Sequence, residues 1–193
     1  LVTLGFSGYG RTDDVRAYLQ DPDAVELLKN KHGYLLIDLH VRGTAPSIKF
    51  VRLNTGSPRY LSSDPKPRKR SSGILLELKD KSDGFYMLSL PEGLYQITTI
   101  NAPYFNLPFR LDTEYVSKWR FYISSGKTNY VGKLVFEKER STDTISVKLI
   151  NRLAADKSRI DAEMVNVPSE APLVLGTGVR DDFYSFLMDT ETE

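Results

Sequence analysis

Eight short segments in the middle of the chain are predicted to be β-strands, and in four of them the side chains alternate with a period of two, which restricts the fold more than any other feature. In the first segment, Ile37 and Leu39 alternate with Asp38 and His40. Side chains that alternate in this way lie on opposite faces of a β-strand. The segments are 34–42, 48–53, 74–79, 85–90, 94–100, 118–123, 130–137 and 145–149. Because turn residues separate the segments and no helical pattern lies between them, we predict a mainly β protein with an antiparallel β-sandwich.

Helical patterns are confined to the two flanks of this region. Thr12 or Asp13 can cap a short helix, and Asp21 followed by Pro22 can begin a second helical turn. After the last strand, the spacing of apolar residues predicts one helix over 152–164. The predicted organisation is a flexible leader with short helices that pack on the sandwich (1–31), the sandwich with its following helix (32–165), and a polar tail whose order the composition leaves open (166–193).

Composition removes several classes of chemistry. The chain has no cysteine, which excludes disulfides, thiolate zinc sites and thiol catalysis. Its two histidines, His32 and His40, are eight residues apart in different local contexts, which is not a metal-ligand spacing. No Gly-x-Ser-x-Gly nucleophile motif is present. We therefore predict no catalytic residue, no metal and no cofactor, and the net charge of +1 disfavours nucleic acid as a partner.

The most specific motif is the stretch 83–97, which reads DGFYMLSLPEGLYQI. Two apolar strands meet there at Pro91-Glu92-Gly93, where proline presets a negative φ and glycine permits the positive φ that follows. The stretch resembles the hairpin of transthyretin-like and carboxypeptidase-regulatory-like modules, in which it is structural. A later pattern, from Asn129-Tyr130-Val131-Gly132 through Ile145-Ser146-Val147 to Asp156, resembles the ending of small bacterial envelope lipoproteins.

These resemblances cover about half of the chain, and they imply a fold and a location. They imply a transthyretin-like β-sandwich in the bacterial periplasm, anchored to the outer membrane by an N-terminal lipid. The lipid-bearing cysteine would lie upstream of Leu1, and residues 1–10 would then form the tether between the lipid and the domain.

Two loops are the candidate contact sites for a partner, because binding residues commonly lie on loops that a rigid scaffold positions. The first is a basic, proline-broken loop that contains Lys66, Arg68, Lys69 and Arg70. It can meet anionic headgroups or an acidic partner, or it can be a solvated loop that only adds solubility. The second is the aromatic loop 101–111 with Tyr104, Phe105 and Phe109, which either folds back to close the sandwich or forms an exposed apolar patch.

The function predicted from these features is a non-catalytic envelope accessory or scaffold. It would bind another envelope protein through loops at one end of the sandwich. The alternative is a carbohydrate- or lipid-binding module that uses the aromatic loop 101–111 and Trp119 to hold a sugar or an acyl chain.

Overall fold

The computed structural model describes residues 14–42, 44–53, 73–103, 109–139, 144–165, 167 and 170–183. Within these residues the chain forms eleven strands and one α-helix, and it is mainly β. The strands are β1 (Val15–Ala17), β2 (His32–Val41), β3 (Ser47–Arg52), β4 (Ile74–Glu77), β5 (Gly84–Pro91), β6 (Gly93–Asn101), β7 (Arg110–Asp112), β8 (Arg120–Ile123), β9 (Thr128–Glu139), β10 (Thr144–Ile150) and β11 (Leu173–Leu175). The helix α1 spans Leu153–Glu163, between β10 and β11.

All eight predicted strands are present, and the predicted helix at 152–164 is confirmed as α1. Strands β1, β7 and β11 were not predicted, because three residues are too few to show a period of two. The predicted first helix is wrong, since Val15–Ala17 pairs with β4 as a strand. Backbone pairing available only in the folded chain overrides local helical preference here. The predicted second turn is a single 3-10 turn at Pro22–Ala24, with Asp21 at its N-cap.

The strands form two mixed sheets. Sheet A has the order β1-β4-β3-β6-β7, and β8 also pairs with β6. Sheet B has the order β10-β9-β2-β5, and β11 also pairs with β9. The prediction of antiparallel pairing throughout is wrong, because β1–β4, β2–β9 and β9–β11 are parallel pairs. Strands β2 and β9 are far apart in sequence, so the intervening chain can pass through sheet A and return, and no single crossover helix is needed.

The two sheets share one apolar core. Leu35, Ile37 and Leu39 on the inner face of β2 belong to the same cluster of buried residues as Phe50 of sheet A. Three aromatic rings of sheet A belong to this core. Tyr95 and Phe121 stack with their ring centroids 5.2 Å apart, and Phe50 contacts both rings edge-on. The inward-facing residues of the predicted alternation thus form the contact between the sheets.

The Pro91-Glu92-Gly93 motif is a corner at which the chain changes sheets. The strands on either side do not pair with each other, because β5 belongs to sheet B and β6 to sheet A. Gly93 has φ 153°, in the region that favours glycine. The hydroxyl of buried Tyr95 donates to the Pro91 carbonyl at 2.7 Å, and burial raises the pKa of Tyr95 to about 12. The Pro-x-Gly-x-Tyr spacing therefore closes the corner, and the hairpin predicted here is wrong.

The flanking segments join the two sheets at both edges. In the N-terminal segment, β1 extends sheet A while Gln20 exchanges backbone hydrogen bonds with Met87 of sheet B. In the C-terminal segment, β11 extends sheet B, and the Gly176 amide donates to the Tyr130 carbonyl at 2.8 Å. The Gly176 carbonyl accepts from the Tyr122 amide of sheet A at 2.7 Å. Parts of the predicted leader region 1–31 and tail 166–193 therefore belong to the sheets.

Candidate functional site

Among the described residues, a cluster of buried polar and charged side chains lies between helix α1 and the outer face of sheet B. Tyr34 and Leu36 of β2 point to this face and pack with Ile160 of α1 in a second apolar cluster. Asp38 follows on the same face and is only 1% exposed. A carboxylate is rarely buried to this degree unless charged or hydrogen-bonding groups surround it.

Two cations hold the Asp38 carboxylate. Arg159 of α1 donates to Asp38 Oδ2 at 2.6 Å, and Lys133 Nζ of β9 lies 3.4 Å from the same oxygen. The Arg159 guanidinium also lies 4.2 Å from the ring centre of Phe85, and 3.9 Å from a carboxylate oxygen of Asp156. Burial raises the pKa of Asp38, although both cations act in the opposite direction. The network therefore connects α1 to strands β2, β5 and β9 of sheet B.

Not every polar atom in this network is satisfied within the described part of the chain. Asp38 Oδ1 and Asp156 Oδ2 are buried without a hydrogen bond there. Burial, followed by the negative charges of Asp156 and Asp38, raises the pKa of Tyr130. Because Asp38 is almost completely enclosed, it is not placed to contact a substrate. What the arrangement can do is fix α1 on sheet B.

The two histidines lie at opposite ends of β2 and do not come together. His40 Nδ1 is 2.8 Å from Asp83 Oδ2, and His32 Nδ1 is 2.9 Å from the Asn30 carbonyl. Burial would raise the pKa of Asp83, but the Val41 amide and His40 lower it below its ordinary value. His32 and His40 are eight strand residues apart, and at roughly 3.3 Å per residue this separates them by more than about 20 Å along β2. Within the described ranges, no group of three or more potential metal ligands occurs.

A groove lies between the C-terminal end of α1 and the segment that precedes β11. Its lining is mostly apolar and includes Ile160, Met164 and Leu173, with Asp161 at the rim. Its volume of about 160 Å³ is well below the range of roughly 300–1,000 Å³ that is usual for small-molecule sites. This size does not favour a drug-sized ligand.

Most of the predicted contact residues lie outside the described residues. These are Tyr104, Phe105, Lys66, Arg68, Lys69 and Arg70. Phe109 is described: it is half-buried against the main core, and its carbonyl accepts from the Ala102 amide at 2.9 Å. Trp119 is 2% exposed, so the prediction that it stacks on a surface ligand is wrong. Its alternation with polar residues marked a core position rather than a binding position.

The two candidate loops are attached at opposite ends of sheet A. Strands β3 and β6 are antiparallel, with Ser47 opposite Asn101 and Arg52 opposite Tyr95. The aromatic loop leaves β6 after Asn101, whereas the basic loop leaves β3 after Arg52. We call these ends the Val41 end and the His32 end, after the residues at which β2 finishes and begins. One small partner at one end of the fold would not contact both attachment points.

Sequence reasoning missed the Asp38 network. A signal was present, because Tyr34 and Leu36 give β2 large apolar residues on its outer face as well as its inner face. Such a strand is buried on both sides, so something must cover Asp38 as well. The sequence did not indicate that Arg159 and Lys133 are the groups that meet it.

The comparisons with known proteins add no identification. No protein-family model matches the chain, and no curated protein or solved structure gives a significant match. Among the described residues, no helix combines the length and apolar character needed to cross a membrane.

Proposed function

We propose that this chain is a transthyretin-like β-sandwich that serves as a non-catalytic accessory or scaffold in the bacterial cell envelope. It binds another envelope protein through its end loops. The observation that carries the proposal is that the buried polar cluster around Asp38 is enclosed. Asp38 is enclosed beneath α1, and the described groove is too small for a typical ligand. Loops on a rigid scaffold are where binding residues commonly lie, so the end loops are the surfaces assigned to a second molecule.

The proposal assigns the protein partner to the aromatic loop at the Val41 end. Phe109 is half-buried on the core, so it anchors one end of that loop to a rigid body. Tyr104 and Phe105 lie between this anchor and Pro103, and aromatic side chains supply much of the contact energy in protein interfaces. The basic residues Lys66 to Arg70 belong to a loop attached at the other end, and they make a separate contact.

The glycan- or lipid-binding alternative has less support. It relied on Trp119 together with the aromatic loop, and Trp119 is part of the core.

The location is tested with the complete gene product in its own cell. The cells are grown with labelled palmitate and then fractionated. A lipid-anchored envelope protein takes up the label and is recovered with the membrane. An unlabelled product recovered outside the envelope fractions would refute the proposal.

The contact is tested by site-specific photo-crosslinking in the same cells. A photo-reactive residue at Phe105 should give a discrete crosslinked protein, whereas one at the exposed Tyr18 should not. Phe105→Ala should weaken capture of that partner without changing thermal stability. Equal crosslinking from both positions, or none from Phe105, would argue against the aromatic loop as the contact.

A further inference from the structure

Strand β10 forms an outer edge of sheet B. It ends the strand order β10-β9-β2-β5, and its seven residues pair with β9 alone among the described strands. Other outer edges are short or already bonded: β1 and β7 have three residues each, and Gln20 exchanges two hydrogen bonds with Met87 in the middle of β5. Proteins commonly protect sheet edges in these ways, because an exposed edge can pair with another chain. In the described part of the chain, β10 has neither protection from Ile145 to Leu149.

The backbone groups of alternate β10 residues point away from the sheet. The Phe136 carbonyl of β9 accepts from the Arg42 amide at 3.2 Å, so the backbone groups of Phe136 point towards the β2 side. Val147 lies opposite Phe136. Opposite residues of an antiparallel pair either exchange both hydrogen bonds or turn their backbone groups away from each other. The amide and carbonyl of Val147 therefore point to the outer edge, and those of Ile145 and Leu149 do the same.

One position on this edge already accepts an added segment. The Asp182 amide donates to the Asn151 carbonyl at 2.7 Å, beside a parallel bridge between Asn151 and Asp181. Asn151 directly follows β10 and has the same alternation as Val147. The edge therefore has the geometry to bond a further strand, and the described C-terminal segment uses only the position just beyond β10.

The side chains of β10 leave the core incompletely covered at this edge. Ile145, Val147 and Leu149 pack against the main core but are only partly buried. Ser146 and Lys148 lie on the opposite face of the strand. A further strand beside β10 would cover the three apolar side chains and would continue the inner face of sheet B.

We propose that β10 pairs antiparallel with β10 of a second copy of this chain, about a twofold axis at Val147. In this register Val147 lies opposite Val147 of the second copy, and Ile145 lies opposite Leu149 of the second copy. The members of each pair point their amides and carbonyls at each other, so each pair can exchange two hydrogen bonds. Both copies use the same patch, which closes the assembly at a dimer.

The charges on the outer face fit a second copy as the occupant. Lys148 lies opposite Ser146 of the second copy, so no lysine directly faces another lysine. Within its own chain, Lys148 Nζ is 3.9 Å from Glu137 Oε2 of β9. The edge is therefore complementary to itself, because apolar residues face apolar residues and the cation faces a hydroxyl.

The neighbouring registers are less favourable. A twofold axis at Lys148 would place the two lysines directly opposite each other, and like charges at that position are destabilising. It would also place Ile145 opposite Asn151, whose carbonyl is already bonded. An axis at Ser146 would move Leu149 beyond the start of the second β10. The axis at Val147 is the one that pairs all three outward-pointing residues.

Sedimentation of the purified chain, from micromolar to millimolar protein, tests the pairing. We expect a monomer–dimer equilibrium without larger species. Val147→Pro removes the amide on the axis but no hydrogen bond to β9, and proline is tolerated at such an edge position. It should raise the dissociation constant of the dimer by about a hundredfold or more, because it leaves carbonyls unpaired in the interface. Circular dichroism melting checks that the variant folds.

Ser146→Lys tests the register through charge. Within the chain the new lysine lies opposite Glu137, so the fold should tolerate it. In the dimer it lies opposite Lys148 of the second copy, and the symmetry repeats this contact. The dissociation constant should rise about tenfold, and less at high salt. Ser158→Lys makes the same change in charge at an exposed position on α1, and should leave the dissociation constant unchanged.

A charge exchange completes the test. The double variant Ser146→Lys, Lys148→Glu places opposite charges across both contacts, and should restore the dimer that Ser146→Lys weakens. A monomer at every concentration would overturn the proposal. A dimer that Val147→Pro and Ser146→Lys both leave unchanged would also overturn it, since another surface would then hold the copies together. If the proline variant unfolds, Ser146→Lys and its charge exchange decide the question.

Discussion

Removing one partner from the Arg159–Asp38 ion pair tests whether the polar network holds helix α1 on sheet B. The perturbation is Arg159→Met, which keeps an unbranched apolar side chain over the Phe85 ring and removes the charge. Asp38 is 1% exposed and keeps only Lys133, at 3.4 Å, as a cation. The matching change is Asp38→Leu, which removes the buried carboxylate and leaves Arg159 free to face water, since its side chain is already 42% exposed.

The magnitude follows from this asymmetry in burial. A hydrogen bond to a charged group contributes about 1.5–3 kcal/mol, so Arg159→Met should lower the free energy of unfolding by about 2 kcal/mol. Asp38→Leu should cost about 1 kcal/mol or less, because it removes the desolvated charge together with its partner's contact. Once Asp38 is gone, Arg159→Met has little further to remove. The double variant should therefore cost about 2 kcal/mol less than the sum of the two single changes.

The assay is equilibrium urea unfolding at pH 7, followed by fluorescence. Trp119 is the single tryptophan and lies in the core between the sheets, so its emission reports unfolding directly. The free energies of unfolding of the four proteins in the double-mutant cycle are compared, provided that their m-values are equal. Additive costs, within about 0.5 kcal/mol, would refute the conclusion that Arg159 acts on stability through Asp38.

Three further predictions concern single positions. Lys31→Gly should raise the free energy of unfolding by about 0.5–1 kcal/mol, and the melting temperature by about 1–4 °C, because it relieves backbone strain at φ 60°. An unchanged melting temperature would show that the backbone at Lys31 is not strained. Gly33→Ala should lower the free energy of unfolding in urea by about 2 kcal/mol, because the new methyl group would overlap the Ser124 carbonyl oxygen. Gly126→Ala has open space around it but a φ of 66°, and should cost about 1 kcal/mol. Equal costs would contradict the close approach of Gly33 to Ser124. Burial raises the pKa of Asp38 despite two neighbouring cations, so the folded protein keeps this proton to a higher pH than the unfolded chain does. The free energy of unfolding of the wild type, relative to that of Asp38→Asn, should therefore fall as the pH rises above about 4. A rise of this difference with pH would contradict the prediction.

The sequence predicted individual strands far better than it predicted their partners. Alternation in segments such as 34–42 and 130–137 reports which side chains are buried, and burial on one face is a local pattern. It does not report that β2 and β9 lie side by side in parallel, since that pairing joins residues about a hundred positions apart. The Pro91-Glu92-Gly93 motif shows the same limit. Its turn geometry was predictable, but whether the strands on either side would pair or enter different sheets was not.

The candidate sites divide in the same way. The absence of cysteine excludes disulfides and thiolate chemistry within this sequence, because composition limits chemistry in any fold. Only the tertiary structure decided that Asp38 meets Arg159, 121 residues away, beneath a helix. Only the tertiary structure separated the attachment points of the two candidate loops. Charge and hydrophobicity are properties of single residues, whereas proximity in space arises only when the two sheets pack together.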